Sequence, residues 1–270
     1  MQRIGSFFQR KLELVQNFTM TRFGVLQQIA PVHFWFEARR QLINQILHRS
    51  LENQVEVAID LGCGAGDSLA GWKQHARRVI GIDGHAELIA GKNDDPAISV
   101  IAADVTDVPL LDETAQLVLA LDVLEHVPDT AALGEVCRIL TPGGTLLLAV
   151  PAHQWLWSFR DKGAGHMRRY SRRSIRKVVE GAGLTIDRLQ WYQCLLFPLV
   201  VIARLFGRRG PAIRDMEDNP PGIINRLLLG VNLLEVKLNS LGLRMPYGSS
   251  ILVVARKPDL ADNPKAGTDV

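Results

Sequence analysis

Three glycines on alternate positions, Gly62, Gly64 and Gly66, close the run V-A-I-D-L-G-C-G-A-G-D-S from Val57 to Ser68. Glycine admits positive φ and removes the Cβ that would keep a ligand off the backbone. One glycine satisfies a strand-to-helix turn; three point to a molecule packed against the chain. A dinucleotide fingerprint needs G-x-G-x-x-G and a phosphate-cradling loop ends in Gly-Lys-Ser/Thr, and the run has neither. Asp67 falls in the first turn of the segment that follows, where a carboxylate repels a pyrophosphate. The loop therefore suits a ligand with little negative charge. Two more acids end apolar runs, Asp83 in V-I-G-I-D-G and Asp104 in V-I-A-A-D-V. A carboxylate at Asp83 can accept from both hydroxyls of a ribose, and one at Asp104 can meet the exocyclic amine of an adenine.

A second group of reactive residue types follows Val150, in P-A-H-Q-W-L-W-S-F-R-D-K-G-A-G-H-M-R-R-Y-S-R-R-S-I-R-K. His153 and His166 are candidate general bases, with a buried structural histidine as the rival reading of each. Arg168 and Arg169, with Tyr170, form a candidate pocket for a phosphate or carboxylate on an acceptor. Arg172, Arg173, Arg176 and Lys177 also read as the solvated face of a helix.

These residues need a frame that brings them together. Apolar, β-branched runs predict strands at Val55–Leu61, Arg78–Asp83, Ile98–Ala103, Ala115–Asp122, Thr145–Val150, Leu184–Trp191 and Ser249–Lys257. Helical spacing falls between them, at Ser68–His75, Ala86–Gly91, Thr130–Leu140 and Ser174–Glu180, and Pro142-Gly143-Gly144 reads as a turn. Strands that are apolar on both faces and alternate with helices predict a doubly wound α/β fold. In such a sheet ligands bind beyond the carboxyl ends of the strands. That edge is where the glycine loop, Asp83, Asp104 and the basic stretch all emerge.

The 270 residues are 47% apolar, enough for one large domain. A formal net charge of +3 does not argue for nucleic acid as a partner. Cys63, Cys137 and Cys194 show neither paired spacing nor a ligand cluster, so no metal is expected and a reduced cytoplasmic compartment is. M-Q-R-I-G-S-F-F-Q-R-K has no apolar core followed by small residues, so a secretory leader is not expected.

Five segments in order now carry a family resemblance: V-A-I-D-L-G-C-G-A-G, V-I-G-I-D, I-A-A-D-V-T-D-V-P-L, L-V-L-A-L-D-V-L-E-H-V-P-D and L-T-P-G-G-T-L-L-L-A-V-P. Across roughly residues 55–151 the chain resembles class I S-adenosylmethionine-dependent methyltransferases. The resemblance implies a seven-stranded, mostly parallel sheet with an antiparallel last strand, and S-adenosylmethionine as cofactor. It implies Asp60, Gly62, Gly64 and Gly66 at the methionine end, Asp83 on the ribose, Asp104 and Val105 at the adenine, and Leu121 and Asp122 beneath the methyl donor. The rival class is a nucleotide- or adenosylmethionine-binding module without methyl transfer.

The chain is expected to divide into an N-terminal helical cap over residues 1–50, a methyltransferase domain over 51–257, and a disordered tail over 258–270. His33–Arg40 lies on a helix, with Trp35, Phe36 and Arg39 able to close over a ligand. Residues 192–248 form a mostly helical insertion on the acceptor side. There Leu227, Leu228, Val231, Leu234 and Leu238 mark an apolar helix face. The apolar run before Arg204, Arg208 and Arg209 is too short to span a bilayer, which needs ~20 residues. The insertion therefore reads as a lid or as an attachment to the inner membrane surface. The stretches H-F-W-F-E-A-R-R, P-A-H-Q-W-L-W-S and G-H-M-R-R-Y resemble a type 11/12-like bacterial subgroup associated with envelope glycan biosynthesis. The expected acceptor is then an anionic, lipid-like or glycan-linked molecule, with a soluble small molecule as the alternative. Oligomeric state is not legible.

Overall fold

A computed structural model describes residues 32–84, 95–206 and 220–259. Four expected features lie wholly or partly outside them: residues 1–31 of the N-terminal cap, the helical stretch Ala86–Gly91, Arg208 with Arg209, and the tail from residue 260. The described elements are α1 (Phe34–Ser50), β1 (Val55–Leu61), α2 (Leu69–Trp72), β2 (Ala76–Asp83), β3 (Ile98–Ala102), β4 (Ala115–Leu121), α3 (Asp129–Ile139), β5 (Leu140–Pro151), α4 (Phe159–Gly163), α5 (Arg172–Gly181), β6 (Thr185–Tyr192), α6 (Phe197–Phe206), α7 (Gly222–Ser240) and β7 (Ser250–Arg256). The strands form one seven-stranded sheet in the order β3-β2-β1-β4-β5-β7-β6. β7 pairs antiparallel with both β5 and β6, and the other pairings are parallel.

The central strands bury both faces, which is why they read as continuous apolar runs. Ile59, Leu61, Val118 and Leu148 join the core on one face, and Ala58, Leu117, Leu119 and Leu147 join the core on the other. Pro142-Gly143-Gly144 is not a turn ahead of β5 but a bulge inside it. Ala115 pairs with Leu140 and Leu117 with Thr145, so the extra residues arch out between them. Gly143 takes φ +73° there.

α1 packs into the body of the domain. Leu42, Ile43, Ile46 and Leu47 of α1 lie in the same core as Val236 of α7 and Tyr192 of β6. The two helices run side by side in the same direction and are tied at both ends. Phe34 N donates to Asn225 Oδ1 at 2.9 Å, and Asn225 Nδ2 donates to Val32 O at 2.7 Å. At the far end the Arg49 guanidinium donates to the carbonyls of Asn239 and Ser240.

α7 does not bury the leucine face, which a lid would hide and a membrane-surface attachment would leave exposed. Asn232, Glu235, Val236 and Asn239 are its buried residues, whereas Leu227 and Leu234 are exposed. The physical reason is Glu235. Its Oε2 accepts from the N–H groups of Cys194 and Leu195 at 2.8 and 3.0 Å, two donors at the chain's departure from β6. Satisfying buried backbone donors outweighs burying two leucines.

Candidate active site

The carboxyl ends of β1 to β6, with the first turn of α1, surround a cleft of about 1090 Å³. Its first wall is built from strand ends. Gly62, Gly64 and Gly66 have φ of +74°, +57° and +76°. A Cβ on Gly62 would stand 2.4 Å from Val123 Cγ2, so this glycine lets the β1 loop pack on the segment after β4. Gly62 N and Cys63 N both donate to Ile82 O, and Gly64 N donates to Asp83 Oδ2 at 2.9 Å. Asp83 thus holds the loop and lines the cleft at once. Asp104 lines it one strand further on; its Oδ1 accepts from Thr106 N and Oγ1, which hold the carboxyl below its ordinary value. Buried Val105 completes that corner.

Asp60, Gly66 and Leu121 are not among the cleft-lining residues. Asp60 is buried beneath the loop, where its Oδ2 accepts from Trp72 Nε1 at 2.8 Å. Burial pushes its carboxyl up to about 6, against the pull of Trp72 and Arg39. Leu121 packs into the core behind the cleft.

The second wall joins three stretches distant in sequence. After β4 the chain bends at Asp122, whose φ is +59°. Arg39 NH1 meets Asp122 Oδ2 at 2.5 Å, and the same guanidinium lies 4.7 Å from the centre of the Trp35 ring. His33 caps α1 through Nδ1, which accepts from Trp35 N at 3.2 Å. Trp35 and Phe36 thereby line the cleft from the first turn of α1.

Residues 123–129 and 152–170 are stitched together. Met167 N donates to Glu125 O at 2.7 Å, and the His126 and His166 rings meet edge to face at 4.7 Å. Asp161, buried in α4, is the hub. Its Oδ1 accepts from Arg169 Nε at 2.6 Å and faces His166 Nδ1 at 3.1 Å; its Oδ2 accepts from Ser158 N at 2.8 Å. Burial pushes the Asp161 carboxyl up, but these donations outweigh it and hold it well below the usual carboxylate range. Glu125 lines the cleft yet is only 1% exposed; burial and the neighbouring Asp122 push its carboxyl well up.

The expected acceptor residues separate. His166 and Arg169 line the cleft, whereas His153, Arg168 and Tyr170 do not. Arg169 is 6% exposed in its side chain and occupied by Asp161 and by the Ala152 carbonyl, so it braces the wall. Arg168 pairs with Asp129 at 2.9 Å, and the Tyr170 hydroxyl lies within hydrogen-bond reach of Asp129 Oδ2 and Leu124 O. Tyr170 is buried, and the polar groups of this trio are engaged by Asp129, the Leu124 carbonyl, Asp161 and the Ala152 carbonyl. His153 takes φ +61° and stacks on Trp191 at 4.8 Å, with Nε2 at 3.1 Å from Gly248 O. Burial lowers its pKa.

Glu125, His126, Asp161 and Arg160 were not singled out from sequence, and Arg204 was read as a membrane-facing residue of the insertion rather than as part of the cleft lining. The signal for the first two was available, because L-D-V-L-E-H follows a strand end at the cleft edge. Asp161 carried none, since a lone acid in a basic stretch reads as solvated.

A family model described as a methyltransferase domain matches residues 59–148. A Mycolicibacterium smegmatis protein named "Probable S-adenosylmethionine-dependent methyltransferase" is 26% identical over 163 residues, 59% of this chain and 62% of its own length. The chain thus spans less than two thirds of that relative. A similarly named Mycobacterium tuberculosis protein is 24% identical over 210 residues, 76% of this chain and 70% of its own length. A chain from the complex of a Haloferax volcanii methyltransferase activator with a methyltransferase superposes with a TM-score of 0.61 at 18% identity, over 90% of this chain and 97% of that one. That likeness carries the fold.

Proposed function

Residues 59–148 form a class I S-adenosylmethionine-dependent methyltransferase domain, and from that premise we propose that the cleft passes the cofactor's methyl group to an acceptor entering along the second wall. One observation supports the reading most: Gly64, Asp83 and Asp104–Val105 line one cleft from three successive strand ends, opposite Asp122. The methionine end lies against Gly62 and Gly64, the ribose hydroxyls on Asp83, and the adenine beside Asp104 and Val105. The methyl group then sits near Asp122 and Val123.

Methyl transfer moves a carbon from sulfonium to nucleophile while the C–S electron pair stays on sulfur, so positive charge in the donor is cancelled. Catalysis then rests on holding nucleophile, methyl and sulfur in line at ~3–3.5 Å with water kept out. Trp35 and Phe36 serve that exclusion from the first turn of α1. The acceptor lies on the side of Glu125, His126 and His166.

Calorimetric titration with S-adenosylhomocysteine tests the cofactor half. Wild type should bind, and Asp83→Ala should lose at least ten-fold in affinity, since each charge-assisted hydrogen bond is worth about 1.5–3 kcal/mol. No binding by wild type refutes the reading. Transfer of a labelled methyl group to fractionated cell extract tests the other half.

A second observation favours a lipid-linked acceptor. Leu199 and Ile202 of α6 and Ile223, Ile224, Leu227 and Leu234 of α7 are exposed large apolar residues on the insertion beside the cleft. Among the described residues no helix is long and apolar enough to cross a membrane. A peripheral contact with the membrane surface suits such faces. Co-sedimentation with anionic vesicles tests it; a chain that stays in the supernatant at low salt leaves the acceptor a soluble molecule.

A further inference from the structure

Ligand atoms of Glu125, His126 and His166 lie within 4.8 Å of one another on the cleft's second wall. Glu125 is 1% exposed, and its Oε2 has no hydrogen-bond partner. A carboxylate oxygen buried without a partner is costly, so something outside the described side chains must satisfy it. His166 is prepared in a specific way. Its Nδ1 faces Asp161 Oδ1 at 3.1 Å, and Asp161 is itself held by Arg169 and Ser158. A carboxylate on one ring nitrogen fixes the tautomer that leaves a lone pair on the other, the usual support for a metal-ligating histidine.

We infer that Glu125, His126 and His166 form a binding site for a divalent transition-metal cation, with Asp161 as the group that orients His166. Two imidazoles and one carboxylate suit a zinc-like ion and leave coordination positions open. Ligands held about 2.1 Å from one ion lie roughly 3–3.4 Å apart, so the three side chains must close by rotation when it binds. A proton or a water could satisfy Oε2, but neither accounts for the two histidines converging beside it with one ring tautomer already set. The three residues line the same cleft as Asp122 and Val123, so open positions on the ion would be reached from that cleft. On the methyltransferase reading, which this last step rests on, they take an oxygen of the acceptor and make it a hydroxyl-bearing or otherwise oxygen-rich molecule.

The test uses the tag-free full chain, stripped with chelator and titrated with Co²⁺ while visible absorption is followed, then challenged with Zn²⁺. The expected result is one saturable Co²⁺ per chain, displaced by Zn²⁺. Glu125→Gln and the double variant His126→Ala with His166→Ala should each weaken binding by more than about ten-fold, the least that loss of even an orienting partner causes. Asp161→Asn should weaken it and shift the spectrum, whereas His153→Ala should change neither. Wild type without saturable Co²⁺, or the double variant binding as wild type does, overturns the inference. S-adenosylhomocysteine titrated into the same stripped samples separates the two readings. S-adenosylhomocysteine binding without metal leaves the methyltransferase proposal standing alone, and metal without S-adenosylhomocysteine binding leaves the cation site standing alone. Glu125→Gln preserves side-chain shape, so retained S-adenosylhomocysteine affinity in that variant shows that lost metal binding is not lost fold.

Discussion

The two walls of the cleft are built by opposite means. On the β1–β3 wall the backbone does the positioning. Gly62, Cys63 and Gly64 donate to Ile82 O and to Asp83, and Asp104 is set by Thr106 two residues on, so contacts are local or between adjacent strands. On the opposite wall, side chains far apart in sequence hold one another: Arg39 with Asp122, Arg168 with Asp129, Tyr170 with Leu124 O. Charges on the first wall hold the backbone and line the cleft at once, while most charges on the second pair with other side chains of the protein. An exposed arginine can therefore be less informative about binding than a glycine.

The comparison can be broken most forcefully at Asp161. Asp161→Ala leaves the Arg169 guanidinium buried without its partner and should destabilise the chain by about 3–5 kcal/mol in urea unfolding. A loss under about 1 kcal/mol would show that the second wall does not depend on its ion pairs. Next in size is Gly62→Val on the first wall. Its Cβ meets Val123 and its backbone sits at φ +74°, so overpacking of about 1–3 kcal/mol adds to left-handed strain of about 1–2 kcal/mol. S-adenosylhomocysteine affinity should fall with stability, and unchanged affinity would mean the loop repacks without moving its ligand face.

Asp60 sharpens the contrast through pH. A carboxyl raised from 3.8 to about 6 binds its proton more tightly in the folded chain than in the unfolded one. Its contribution is therefore fully present below 3.8 and is lost as pH rises through about 6. A rise of that size corresponds to about 3 kcal/mol at most. Asp60→Asn keeps an acceptor for Trp72 and removes the titration, so its melting temperature should gain on wild type between pH 4 and pH 7. Parallel curves would remove Asp60 as the titrating group. The smallest effect belongs to Arg168→Ala, a partly exposed pair with Asp129, worth about 0.2–1 kcal/mol. Cofactor affinity should not change; a large drop would return Arg168 to the site.

The sheet was legible because strands buried on both faces must be apolar throughout, and Val55–Leu61 in the structure matches its expected bounds. The positions of Asp83 and Asp104 at the cleft followed from strand polarity alone. Other positions were not legible. His153 was expected beside the acceptor for its place after β5, but a left-handed backbone turns it onto Trp191 and away from the cleft. α7 offers two faces at helical spacing, and whether the leucine face packs inward or stays exposed was open in the sequence; the N–H groups of Cys194 and Leu195 bring Glu235 inward instead. Arg169 carried no sign that a buried acid eight residues earlier would claim it.

What the sequence determined by itself is what depends on one residue's neighbours along the chain: strand polarity, the glycine loop and the acids that end β2 and β3. Tertiary structure decided which charges remain available, which face of α7 is buried, and that Glu125, His126 and His166 converge. These depend on pairings across the sheet, where desolvation makes each buried group take whichever partner the fold brings near.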